Sequence, residues 1–223
     1  MNITYLELLT SDLRVQYDFY FNLLDLPVEL SSDTLKVQAG ATKLVFTQAD
    51  SDFAGAYHFA FNIPENQIHA AKDWIAGRAP LLRDETGKDD FDSASWNSHS
   101  VYFKDAAGNI LEFIARHNLS NAVADAFDSS QILNVSEIGL PSENVIAFAK
   151  NLCSTLGLSV FKQVPGETFT PVGDDNGLFI LPVKDRIWYP NTGLPAKLLT
   201  ANVKGMANGN EWEVHGVPYG IVI

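Results

Sequence analysis

A carboxylate set in the middle of a strand suited to burial must have a partner, and Glu112 is such a residue. Ile110, Leu111, Phe113 and Ile114 flank it, so its charge has to be paired, hydrogen-bonded or bound to a metal. Residues 96–117 (WNSHSVYFKDAAGNILEFIARH) read as a β-hairpin, two alternating strands joined by a turn at Asp105-Ala106-Ala107-Gly108. With Lys104 paired to Asn109, Phe103 lies opposite Ile110, Val101 opposite Glu112 and His99 opposite Ile114. Alternate residues share a face, so this register sets His99 on the same side of the sheet as Glu112. Imidazole and carboxylate are ligand types of Zn, Mn, Fe(II) or Ni sites.

The elements that would position these groups recur along the chain. Residues 3–9 read as a strand. Ser11-Asp12 cap a helix with Leu13, Tyr17, Tyr20 and Leu24 on its apolar stripe, and strands fit near 28–30, 34–38 and 43–48. The order returns with a strand at 57–63, a helix opened by Pro64-Glu65 and carrying Ile68, Ala71 and Ile75, and the hairpin. It returns again with a strand at 132–140 and a helix that carries Val145, Phe148, Leu152 and Leu156 and stops at Gly157. Strands then fit near 158–163, 167–172 and 177–183. The offsets that carry Asp12 to Glu65 and Asn144 also carry Tyr5 to His58 and Glu137. In the closing strands the residues four past the turn glycines Gly40, Gly108 and Gly177 are Leu44, Glu112 and Leu181.

Residues 118–131 are polar and small and read as a linker. Residues 185–195 form a turn-rich loop with Arg186, Trp188 and Tyr189, placed to lid a cavity or to hold an anionic or aromatic ligand. A strand near 197–204, a turn at Asn208-Gly209-Asn210 and an extended tail look like a fourth unit without its helix.

Composition narrows the function classes. Hydrophobic residues make up 46% and charged residues 19%, the balance of a globular protein with a real core. A net charge of −12 argues against a nucleic-acid partner, because binding phosphates takes clustered Lys and Arg. The single cysteine, Cys153, permits no internal disulfide framework and no thiolate cluster. The expectation is a cytoplasmic protein with no membrane partner, since neither a signal peptide nor an apolar run of about 18 residues is found. Triad spacing, a phosphate-cradling glycine loop and a zinc-protease motif are likewise not found. His69, His117 and His215 read as surface residues.

Tandem strand–helix–three-strand units with a His in an opening strand and a Glu in a closing strand resemble the vicinal oxygen chelate superfamily, the glyoxalase, bleomycin-resistance and extradiol dioxygenase group. The likeness is carried by His58-Phe59-Ala60-Phe61 and by the hairpin Ser100-Val101-Tyr102-Phe103…Asp105…Gly108-Asn109…Leu111-Glu112. The resemblance implies an α+β fold of tandem βαβββ units, with mixed sheets curled around a cavity. Residues 1–117 are then two paired units enclosing the main cavity, 118–131 a linker, and 132–223 the third unit plus the incomplete fourth. It also implies a divalent ion (Zn, Mn, Fe, Ni or Co) with His58 and Glu112 at the ligand positions of the second unit. The first unit departs from the pattern, with Tyr5 and Leu44 at its ligand positions. A third ligand has to come from Glu7, His99 or Tyr5.

Two functional readings follow from the resemblance. In one, the chain is a metal-dependent enzyme on a small oxygen-rich metabolite, working by isomerase, lyase or transferase-type Lewis-acid chemistry, with Glu7 or Tyr5 as acid/base. In the other it is a non-catalytic protein of the bleomycin-resistance type that sequesters a small molecule. Trp96, Tyr102 and His99 are the expected pocket residues, Trp96 serving equally as a cover for the core edge. Glu137 reads as a capping or structural carboxylate. The unpaired edges of the fourth unit make a homodimer the expected assembly.

Overall fold

The computed structural model describes residues 1–223. Two curled seven-stranded sheets carry the fold. The first unit supplies β1 (Asn2–Thr10), α1 (Leu13–Tyr17), β2 (Val28–Leu30), β3 (Thr34–Ala39) and β4 (Thr42–Gln48). The second supplies β5 (His58–Ile63), α2 (Ile68–Ala76), β6 (Phe91–Ser93), β7 (Ser98–Lys104) and β8 (Ile110–Arg116). The third supplies β9 (Asn134–Gly139), α3 (Val145–Leu156), β10 (Phe169–Asp174) and β11 (Gly177–Pro182). Strands β12 (Ala201–Ala207), β13 (Asn210–Gly216) and β14 (Gly220–Val222) form the helix-free remainder.

Local chemistry sets the element ends. The Asp12 carboxylate accepts from the backbone N–H groups of Arg14 and Val15, and Asn144 caps α3 through Ala147. Gly157 closes α3 in the left-handed region, where a side chain would be strained. Beyond Tyr17 the first helix widens into π-turns over Asp18–Leu23, which lets Leu13, Phe19, Tyr20 and Leu24 all reach the core.

The expected partnership of units is corrected by the sheets. The second sheet runs β10-β11-β9-β5-β8-β7-β6, so unit two pairs with unit three. The first runs β14-β13-β12-β1-β4-β3-β2, so unit one pairs with the helix-free remainder. In both sheets an opening strand meets its counterpart antiparallel at the centre, β5 with β9 and β1 with β12. The physical reason is edge satisfaction: each opening strand has one edge taken by its own closing strand and needs a second partner for the other. The strand expected at 158–163 is reduced to a single bridge, Val160 to Val172. The two sheets are joined through the β3–β4 turn, where the Ala41 N–H donates to Leu133 O at 2.8 Å and Thr42 Oγ1 accepts from Val135 N.

The hairpin register also differs from the expected one, by one residue. Lys104 faces Ile110, Tyr102 faces Glu112 and His99 faces Ala115. The buried Asp105 carboxylate accepts from Ala107 N, Asn109 N and Asn109 Nδ2, and also from Gln16 and Tyr20 of the first unit. That network draws Asn109 into the turn and delays strand pairing by one residue. A one-residue slip exchanges the faces of a strand. Ser98, Ser100 and Tyr102 therefore face the cavity, while His99 faces the helix side with Val101 and Phe103.

Candidate metal centre

Three central strands of the second sheet build the site. Ala60 of β5 stands in register with Glu112 of β8 on one side and Glu137 of β9 on the other. His58, two residues before Ala60, shares its face. All four residues are buried. His58 Nε2 lies 3.7 Å from Glu112 Oε2 and 3.9 Å from Glu137 Oε2. One ligand atom from each of these three residues lies within 4.8 Å of the others. Ala60, between the two carboxylates in this row, carries only a methyl group, and a larger side chain there would project toward them.

The chemistry of this donor set fits a divalent cation. The tautomer of His58 is set by a 3.1 Å contact from Nδ1 to Ile110 O, which takes the Nδ1–H and presents the Nε2 lone pair to the two carboxylates. Two buried carboxylates facing one imidazole repel one another unless protons or a metal compensate them. Burial, reinforced by the Glu137 carboxylate, pushes Glu112 up to about 7, against the pull of His58, Ser100 and Arg116. Burial pulls the His58 imidazole down, but Glu137 and Glu112 outweigh it and hold the ring above its ordinary value. Burial and the same carboxylates raise Tyr102 well above the ordinary phenol range, so its hydroxyl keeps its proton.

Arg116 completes the constellation and was not among the residues expected from the sequence. It follows Glu112 by four positions in β8, hence on the same face, and is fully buried. Its Nη2 pairs with Glu137 Oε1, its Nε donates to Asn62 Oδ1 at 3.2 Å, and the rings of Trp96 and Phe161 flank it. One oxygen of Glu137 is thereby held by the guanidinium while the other turns toward His58. A basic residue ending an apolar strand on the face of Glu112 was the available signal.

His58, Glu112 and Glu137 line a cavity of about 380 Å³. Phe91, Trp96, Tyr102, Phe169, Trp188 and Tyr189 supply aromatic walls, and Ser98, Ser100 and Arg186 add polar ones. Trp188 is the roof. Its indole sits 5.3 Å from the His58 ring and occupies the space where residue 139 would carry a Cβ, so a side chain at 139 would force the indole to shift.

The residues expected to form the site are thus divided. His58, Glu112, Trp96 and Tyr102 line this cavity. Glu137, read from the sequence as structural, joins them; its descent from Tyr5 and His58 at the repeat offset was the signal. Tyr5 and Glu7 lie on the first sheet and do not line the cavity. There the Glu7 carboxylate accepts from Tyr5 Oη, Thr47 Oγ1 and Asn202 Nδ2, and those bonds hold it below its usual range despite the opposing effect of burial. Val45, not Leu44, is the neighbour of Glu7 on β4, and Leu44 faces the core. His99 lies outside the cavity for the register reason given above.

No family model matches the sequence, and no curated protein matches it. Among solved structures, the chain is similar to a candidate dioxygenase from Bacillus subtilis subsp. subtilis str. 168, with 16% identity and a TM-score of 0.60 over 82% of this chain and 64% of that one. It therefore spans just under two thirds of that protein's length. A lactoylglutathione lyase from Agrobacterium tumefaciens is 22% identical over 50% of this chain and 91% of its own, with a TM-score of 0.42. A glyoxalase/bleomycin resistance protein/dioxygenase from Nocardioides is 19% identical over 57% and 89%, with a TM-score of 0.43. The likeness is one of fold. Tandem βαβββ units in two curled mixed sheets, the vicinal oxygen chelate fold, are what this chain adopts. No helix is long and apolar enough to cross a membrane.

Proposed function

We propose that the chain is a divalent-metal-dependent enzyme acting on a small oxygen-rich molecule, by isomerase, lyase or transferase-type chemistry, in the cavity between its second and third units. The observation that carries this reading is the convergence of His58, Glu112 and Glu137 on the space beside Ala60. One imidazole and two carboxylates suit Mn, Fe(II), Zn, Ni or Co, and such a set leaves coordination positions for ligand oxygens. The bound ion would supply Lewis acidity, lowering the energy of negative charge on a substrate oxygen.

The remaining tasks fall to the protein. The Ile110 carbonyl keeps the His58 ring oriented. Arg116 fixes the rotamer of Glu137 and leaves one oxygen for the site. Tyr102, opposite Glu112 and protonated, is placed to donate its hydroxyl hydrogen to an oxygen of the bound molecule. Trp188, itself buried, covers the His58 side of the cavity and would limit water there, which strengthens charge interactions beneath it.

The aromatic walls favour a second reading, a protein that sequesters a small aromatic compound without turning it over. Metal content separates the two. Protein purified without chelator or affinity tag is expected to carry, or to take up, close to one Mn, Fe, Co, Ni or Zn per chain. His58→Ala, Glu112→Ala and Glu137→Gln should each lower that occupancy. Wild-type protein that binds none of the five ions would sink the metalloenzyme reading and leave the binder.

A further inference from the structure

Three of the chain's five histidines gather away from the cavity, on the helix side of the second unit. His99 of β7 and His117, one residue past β8, are diagonal neighbours, because His99 pairs with Ala115. His99 Nδ1 lies 3.2 Å from His117 Nε2, and the two ring centroids are 5.5 Å apart. His69, in the first turn of α2, brings a third imidazole to within 6.5 Å of the His99 ring, centroid to centroid. Asp92, directly across from His99 in β6, places Oδ1 3.6 Å from His99 Nε2.

We infer that His99, His117 and His69 form a second transition-metal site, with Asp92 as the carboxylate that orients His99. The geometry of the pair is that of two ligands to one ion. Zn–N bonds of about 2.0–2.1 Å at a tetrahedral centre set two nitrogens about 3.3 Å apart. Asp92 Oδ1, 3.6 Å from His99 Nε2, favours the tautomer with the proton on Nε2 and so the Nδ1 lone pair toward His117, the arrangement by which carboxylates orient metal-binding imidazoles. His69 is exposed at the start of α2 with its ring 6.5 Å from that of His99, so completing the set would take a change of its side-chain rotamer toward the pair. An all-imidazole set selects Zn²⁺, Ni²⁺ or Cu²⁺ over Mg²⁺, Ca²⁺ or Mn²⁺. The oxygen-rich central site differs in that preference, so each site would select its own ion.

Occupancy would fasten together four elements, α2, β6, β7 and the end of β8. Asp92 also belongs to the rim of the cavity, so the ion would stiffen the edge strand that bounds the site without taking part in its chemistry.

The test is a calorimetric titration of metal-free protein with zinc chloride, made in a His58→Ala background so that the central site is disabled. One zinc per chain is expected to remain. Adding His99→Ala or His117→Ala should abolish that binding, and Asp92→Asn should weaken it by about 10-fold. Zinc should also raise the thermal midpoint of the His58→Ala protein and leave that of His58→Ala/His99→Ala unchanged. A His58→Ala protein that takes up no zinc, or one whose zinc survives both His99→Ala and His117→Ala, overturns the inference. Failure of the central site would appear separately, as wild type and His58→Ala binding the same number of ions.

Discussion

Glu112 and Glu137 stand on opposite sides of Ala60 in one row of the second sheet, two buried carboxylates reaching toward a single imidazole. Between them in that row Ala60 carries only a methyl group. Ala60→Val would put two methyl groups there. The substitution should abolish metal uptake while costing about 1–3 kcal/mol of stability, the usual range for overpacking. Elemental analysis and urea unfolding of the same preparation test both parts. Full metal occupancy in a folded Ala60→Val protein would place the site elsewhere.

The same pair makes stability depend on pH in the metal-free protein. Glu112 is raised from 4.5 to about 7. Between those values the folded chain holds more protons than the unfolded one, so the stabilising contribution is complete below pH 4.5 and is lost as pH rises through about 7. His58, also raised, adds a loss of the same sign above its ordinary 6.5. Denaturation midpoints of metal-free protein should fall across this window, and Glu112→Gln should flatten the slope. Metal affinity should run the opposite way, rising with pH, because the ion must displace these protons.

Arg116 tests how the site's charge is balanced. Arg116→Met keeps the volume and removes the cation, leaving Glu137 buried without its partner. A loss of about 3–5 kcal/mol is expected. Arg116→Met with Glu137→Gln should recover much of it, since no unpaired charge then remains. Guanidinium unfolding of the wild type, both single variants and the double variant measures the coupling.

Gly139 holds the roof in place. A methyl group there would fall on the Trp188 indole, so Gly139→Ala should push the ring out of its seat beside His58. Tryptophan emission should move to longer wavelength, and the cavity should admit larger aromatic probes. Unchanged emission in the folded variant would mean that the indole is not wedged where the structure sets it.

The elements themselves were legible in the chain because their signals are local. Asp12, Asn144 and Gly157 mark helix ends through bonds and torsions that involve only a few neighbouring residues. Glu112 stood out as a carboxylate inside an apolar strand, and His58 entered through the repeat offset and the family resemblance. The hairpin register was not legible, because the turn is closed by Asp105 together with Gln16 and Tyr20 of the first unit, far away in sequence. That one-residue difference moved His99 from the cavity face to the helix face. There it meets His117 and His69, both read from the sequence as unconnected surface residues.

By itself, then, the sequence determined most of the order of strands and helices and singled out two of the three side chains that meet in the cavity, since period, capping and buried polarity are written in short stretches. Only the tertiary structure decided which units share a sheet. Pairing β5 with β9 and β1 with β12 satisfies the open edges of the opening strands, and that choice depends on backbone groups far apart in the chain. It sent Tyr5 and Glu7 to one sheet and brought Glu137 to the other. The third member of the His58–Glu112–Glu137 cluster was fixed by strand pairing across units, which no spacing within a single unit encodes.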